Sequence, residues 1–144
     1  MSRYTVAVDF DGVLHSYTSP WINAHTIPDP PVDGAIEWLW ETIQKFDVVI
    51  FTTRAKTWRG RWAVRRWLRR QAGLDRWEHE WGRGLMDAVV SHEKLPALVY
   101  IDDRGWRFDG SNFPTAQQIH AARPWNKLPG LPSVGPKKEE QPNE

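Results

Sequence analysis

Short apolar runs alternate along this chain with longer stretches of helical periodicity. Tyr4-Thr5-Val6-Ala7-Val8 is apolar and partly β-branched and stops at Asp9, which reads as a buried strand feeding a loop. From Gly12 to Pro31 turn formers and aromatics dominate, with Pro20, Pro28, Pro30 and Pro31 among them, and this predicts a loop. Asp33 stands where it can cap a helix that carries Ala35, Ile36, Leu39, Trp40 and Ile43 on one face. Val48-Val49-Ile50-Phe51 predicts a second buried strand, ended by Thr52-Thr53. A helix from about Thr57 to Gln71 follows, with Ala63, Val64, Trp67 and Leu68 as its packing face and Gly73 as its C-cap. Ala88-Val89-Val90 and Leu98-Val99-Tyr100-Ile101 predict third and fourth short strands. This strand–helix–strand–helix order points to an α/β sandwich with a mostly parallel sheet. Such sheets bind ligands beyond the carboxyl ends of their strands, and Asp9, Thr52 and Asp102 all fall there.

The length of 144 residues fits one domain. The absence of cysteine removes disulfides, thiolate nucleophiles and cysteine-ligated metals from consideration. No apolar run approaches the roughly 20 residues that span a bilayer. Asp9 and Asp11 interrupt the early sequence before a signal-peptide pattern can form, so a soluble, cytoplasmic protein is expected. After Arg123 the composition shifts to proline, glycine and a Lys137-Lys138-Glu139-Glu140 block. We therefore expect a folded domain over 1–123 and, over 124–144, a Pro-rich strap that passes into a disordered tail. Most of the ten tryptophans read as core bulk.

Charge changes the picture more than composition does. The formal net charge is +1, yet Arg54, Lys56, Arg59, Arg61, Arg65, Arg66, Arg69 and Arg70 follow one another with no acid between them. On the predicted helix, Trp58, Trp62, Arg65, Arg66 and Arg69 lie roughly opposite the Val64/Trp67/Leu68 face. Cations interleaved with aromatics suit a phosphodiester backbone or an unstacked base; a solvated helix face is the alternative. Arg54, two residues past Thr52, is the cation expected to touch substrate first. In the loop, His15, Tyr17 and Trp21 either line the leaving-group side or, in the case of Trp21, plug the loop onto the domain. His25, His79, His92 and His120 show no ligand spacing.

The candidate chemistry sits at the strand ends. In Val8-Asp9-Phe10-Asp11-Gly12-Val13 two carboxylates at alternate positions can face one pocket, and Gly12 lets the chain turn away. Like charges this close repel unless a cation joins them, and Mg²⁺ is the natural oxygen-seeking candidate. An acidic turn without function is the alternative. Ile101-Asp102-Asp103-Arg104 offers further carboxylates, or else a helix cap with a surface salt bridge to Arg104. The Thr52 hydroxyl, with the Thr53 amide beside it, can donate to a phosphoryl oxygen. The Lys94 ammonium can neutralise both a carboxylate and an incoming phosphate, although a lone loop lysine is more often solvated.

In this order, DFDGV, IFTTR, EKLP and YIDDR resemble the motifs of the haloacid dehalogenase-like (HAD) superfamily of phosphohydrolases, over Arg3 to roughly Phe113. The resemblance implies a Rossmann-like three-layer sandwich with a central parallel sheet. It also implies Asp9 as nucleophile and Mg²⁺ ligand, and Asp11 as general acid/base and ligand through its backbone carbonyl. Thr52 and Lys94 would hold the phosphoryl group, Asp102 would bind the metal, and Asp103 would support it through water. An aspartate at position 11 favours phosphoryl transfer over dehalogenation. Neither Gly12–Asp33 nor Arg54–Asp87 has room for a sizeable lid, so no substantial cap is expected. The capless length, TTR and IDDR also resemble the phosphatase half of polynucleotide kinase/3′-phosphatases. No phosphate loop of the kinase type is present. The expectation is a Mg²⁺-dependent phosphomonoesterase acting on a nucleotide or a phosphorylated nucleic-acid end. A phosphatase of small metabolites and a nucleic-acid-binding module with a vestigial core are the alternatives.

Overall fold

A computed structural model describes residues 3–73 and 89–125 of the chain. Strand β1 spans Thr5–Asp9, helix α1 Ala35–Lys45, strand β2 Asp47–Phe51 and helix α2 Trp58–Ala72. A 3₁₀ turn, Thr53–Lys56, joins β2 to α2, and β3 (Val89–Ser91), β4 (Val99–Ile101) and α3 (Ala116–Ala121) complete the described elements. The strands form one sheet in the order β3-β2-β1-β4, and every pairing is parallel. The expected α/β fold and its parallel sheet are present.

The register explains which way each side chain points. Val6 pairs with Val48 and Val8 with Ile50, and Val90 continues the row beside Ile50. These residues form one buried cluster with Ile36 and Leu39 of α1 and Val64, Trp67 and Leu68 of α2. Both helices therefore cover the same sheet face, as two successive right-handed crossovers moving in one direction require. The opposite face carries Ala7, Val49, Phe51, Tyr100 and Val89, and among the described residues no helix packs there. The described chain thus shows two layers where three were expected. Between β3 and β4 it returns across the sheet in only the residues 92–98, too few for a covering helix.

Local signals mostly behave as the sequence predicts. The Thr57 hydroxyl accepts the Gly60 N–H to cap α2, and Gly73, at φ 77°, ends it. Helix α1 departs from expectation: its N-cap is Gly34, which has no side-chain cap, and Asp33 is exposed outside the helix. The tryptophans depart further. Of those described, Trp67 alone is buried; Trp40 is half-buried, and Trp58 and Trp62 are 71% and 56% exposed. The core is filled by smaller aliphatics, with Phe10 edge-on to Trp67 at 5.1 Å. The loop over Gly12–Asp33 holds only isolated bridges, Asp11 to His15 and His15 to Pro31, so it builds no lid. The interval 74–88 and the tail beyond Trp125 lie outside the described residues. No helix among the described residues is long and apolar enough to cross a membrane.

Candidate functional site

Period-two alternation carries β1 into the site. Val8 and Phe10 are fully buried on the helix-covered face, so Asp9 between them is turned to the other side. The Phe10 carbonyl accepts N–H groups from Val13, Leu14 and His15, which folds the loop back at once. Asp9 Oδ1 accepts the Phe10 N–H at 2.8 Å. Asp102 follows β4, the neighbour of β1, and its Oδ1 accepts the Arg104 N–H at 2.8 Å. This is a turn and not the helix cap considered above; no salt bridge to Arg104 accompanies it among the described residues.

Asp9, Asp102 and Asp103 each bring a carboxylate oxygen within 4.8 Å of the other two. A shallow groove lined by Ala7, Asp9, Phe51, Tyr100, Ile101 and Asp102 opens beside them. The close approach of Asp103 depends on Gly12: its φ is +85°, and a Cβ there would stand 2.3 Å from Asp103 Oδ2.

The electrostatics of this cluster are unbalanced. Burial, the charge of Asp102 and the hydrogen bond and charge of Asp103 push the Asp9 carboxyl up to about 8, against the smaller opposing effect of the Phe10 N–H. Burial also raises Asp103, with Asp102 adding to it, against the hydrogen bonds it shares with Asp9 and with backbone. Asp103 Oδ1 is buried with no hydrogen-bond partner, which in a folded protein calls for an explanation. A hard cation supplies one, since it would satisfy that oxygen and offset three like charges. The donor set is all oxygen, as Mg²⁺ prefers.

Asp11, two residues on, lives in a different environment. Its Oδ2 and Oδ1 accept Arg54 Nε–H at 2.8 and 3.1 Å, and Oδ1 lies 2.8 Å from His15 Nδ1. Burial alone would raise its pKa, but the hydrogen bonds from His15 and Arg54, together with the Arg54 charge, hold it below the usual aspartate range. Because His15 Nε2 accepts the Asp29 N–H at 3.1 Å, the ring proton is on Nδ1 and points at Asp11. His15 is fully buried, stacked on Phe10 at 5.5 Å. Asp29 also receives Ser19 N–H and Oγ–H on its carboxylate and Trp67 Nε1–H on its carbonyl. Neither Asp29 nor this central position of His15 was anticipated. The Asp29 contacts join residues 10 to 38 positions apart, and Pro28-Asp29-Pro30 looks like any turn.

The remaining candidates divide. Thr52 is buried beside the end of β1, and its hydroxyl accepts the Arg54 N–H at 3.2 Å while Thr53 is exposed at the start of the 3₁₀ turn. Arg54, expected at the substrate, is instead a strut. It is 1% exposed, its Nη1 donates to the carbonyls of Asn23, Ala24 and Thr26, and its guanidinium lies 4.5 Å from the Trp21 ring. Trp21 accordingly holds the loop down and, like fully buried His15, is not shown lining a leaving-group path. Lys94 is exposed on the 92–98 connector, with its ammonium 4.8 Å from the ring of Tyr100, a residue that lines the groove. Arg65, Arg66 and Arg69 are exposed on α2. A further anchor was not foreseen: Trp125 Nε1–H donates to the Gly12 carbonyl at 2.5 Å, tying the start of the Pro-rich segment to the turn that follows Asp11. No protein-family model, curated protein or solved structure matches the chain.

Proposed function

We propose that the chain is a Mg²⁺-dependent phosphomonoesterase of the HAD type, acting on a nucleotide or a phosphorylated nucleic-acid end. The observation that carries this reading is the set of three carboxylates at the ends of two adjacent parallel strands, with the orphaned Asp103 oxygen among them. Asp9, Asp102 and Asp103 are the side chains that would hold the ion, which would supply charge neutralisation for carboxylates and phosphate alike.

In this reading Asp9 attacks phosphorus as the ester P–O bond breaks, and the departing alkoxide takes a proton. Water then attacks the aspartyl-phosphate, gives up its proton, and the P–O bond to Asp9 breaks to release phosphate. The Thr52 hydroxyl and Lys94 are assigned to the phosphoryl oxygens. Asp11 is assigned the proton transfers, for which its carboxylate must exchange Arg54 for the leaving-group oxygen. That pairing also favours a second reading, in which the core no longer turns over and the chain only binds. Phosphate release from 3′- and 5′-phosphorylated oligonucleotides, nucleoside monophosphates and an aryl phosphate separates the two. Mg²⁺-dependent release abolished by EDTA supports hydrolysis, and oligonucleotide binding without release supports the binding reading.

A further inference from the structure

The outward face of α2 is unused by the fold and by the carboxylate site. The inward face, with Ala63, Val64, Trp67, Leu68 and Ala72, is buried against the sheet. Trp58 and Trp62 stand one turn apart on the outer side, 71% and 56% exposed, which is unusual for so large an apolar surface. The Arg66 guanidinium lies 5.0 Å from the Trp62 ring. Arg59, Arg65 and Arg66 are exposed and have no carboxylate partner among the described residues. The helix has no acid in its first turn and carries Arg69 and Arg70 in its last, so nothing on the helix itself neutralises the row.

We infer that this face of α2 is a docking strip for single-stranded nucleic acid, with bases stacked on Trp58 and Trp62 and phosphates held by Arg59, Arg65 and Arg66. Rings and guanidinium groups are interleaved on one stripe roughly 12 Å long, the combination that grips a strand through base planes and backbone together. A bilayer asks for a different helix, with an apolar face free to sink between lipids, and here that face is committed to the core. An acidic peptide would satisfy the arginines but leave two broad indole rings in water.

The strip is also fixed in place. Gly60 packs so closely on the 3₁₀ turn that a Cβ there would stand 1.8 Å from the Arg54 carbonyl. Arg61 donates to the Ala55 carbonyl at 3.1 Å. Trp58 is thereby held at the end of the sheet where β1 and β4 deliver their carboxylates. As a route for substrate the strip rests on the phosphatase reading; as a binding surface it does not.

The test is fluorescence anisotropy with labelled oligothymidylate and oligouridylate of about eight residues, at salt between about 50 and 200 mM. Trp58→Ala/Trp62→Ala should weaken binding at least tenfold, and Trp58→Phe/Trp62→Phe should restore much of the loss. Arg65→Glu/Arg66→Glu should weaken it similarly and reduce the log–log salt slope by about 1.4, for two phosphate contacts on a single strand. Circular dichroism confirms that these surface variants are folded. Unchanged affinity in both pairs, or binding to phosphatidylserine vesicles or polyglutamate in preference to the strand, overturns the strip. Asp9→Asn should keep the strand affinity. Strand binding by a wild-type protein that releases no phosphate from phosphorylated oligonucleotides, nucleoside monophosphates or an aryl phosphate would overturn the phosphatase reading and leave the strip standing. Aryl-ester turnover without strand binding would do the reverse.

Discussion

Asp9 and Asp11 are two residues apart, at the end of β1 and just beyond it, and the structure gives them opposite surroundings. Around Asp11 the charges are balanced: Arg54 and His15 meet its oxygens, and three loop carbonyls take up the rest of the guanidinium. Around Asp9, the influences on its charge among the described residues are further carboxylates and one backbone N–H. Asp9 and Asp11 are themselves both half-buried, so the contrast between them comes from partners and not from burial. Where a buried charge has been given its counter-charge, the network holds the fold together. Where half-buried and exposed like charges have been gathered without one, the arrangement costs stability unless a ligand completes it, and we take that as the mark of a site.

The largest expected effect comes from cutting the unbalanced side. Asp9→Asn should reduce phosphate release on the order of 10⁴-fold or more, because the nucleophile is gone. It should also raise the melting temperature of the metal-free protein at neutral pH, because the folded state no longer has to hold a carboxyl protonated far above its ordinary value. Phosphate release near the wild-type rate would remove Asp9 from the mechanism.

Cutting the balanced side should do the opposite to stability. Arg54→Ala leaves Asp11 partly buried without its cation and strands the carbonyls of Asn23, Ala24 and Thr26, a loss of about 3–5 kcal/mol. Arg54→Lys should recover little, since a single ammonium cannot reproduce the guanidinium fork. Denaturant unfolding of both variants measures this. Gly12→Ala tests the hinge between the two regions. The left-handed backbone and the clash with Asp103 should cost about 1–3 kcal/mol and weaken any stabilisation by Mg²⁺. Trp125→Phe, which keeps a ring but removes the N–H to the Gly12 carbonyl, should cost least, about 0.5–1.5 kcal/mol.

The parts legible in the sequence were those with local causes. Apolar runs ending in Asp, Thr or Ser placed all four described strands to within a residue or two. The helical periodicity from about Thr57 and the Gly73 stop bounded α2. Motif order also brought Asp9, Asp102 and Asp103 together in the expectation, and the structure brings the same three side chains within reach of one cation. What could not be read depended on partners far along the chain. Arg54 looked like the cation nearest to substrate because it follows Thr52 so closely. Its burial is decided by a loop that wraps round to offer the carbonyls of residues 23, 24 and 26. The spacing of Asp9 and Asp11 gave no hint that only one would be neutralised. The tryptophans misled for a related reason: side-chain size predicts burial only when the fold has a cavity to match, and α2 had already filled its inner face with Trp67 and smaller residues.

The central claim, that the Asp9–Asp102–Asp103 cluster is built for a cation, has a pH signature. In the metal-free chain the folded state holds the Asp9 proton up to about pH 8, whereas the ordinary value is 3.8. The folded state therefore binds more protons between these limits, and stability falls as pH rises through them. The lowered Asp11 contributes in the other sense, with stability present at neutral pH and lost below the ordinary aspartate range. The most direct measurement is a set of thermal melts from pH 5 to about pH 9, in EDTA and in Mg²⁺, on the wild-type protein and Asp103→Asn. The account predicts that melting temperature in EDTA declines towards pH 8. It predicts that Mg²⁺ reverses the decline, by about 2.7 kcal/mol at a hundredfold excess over its Kd, and that Asp103→Asn loses most of that gain. A wild-type protein whose melting temperature at pH 8 is the same with and without Mg²⁺ would contradict it.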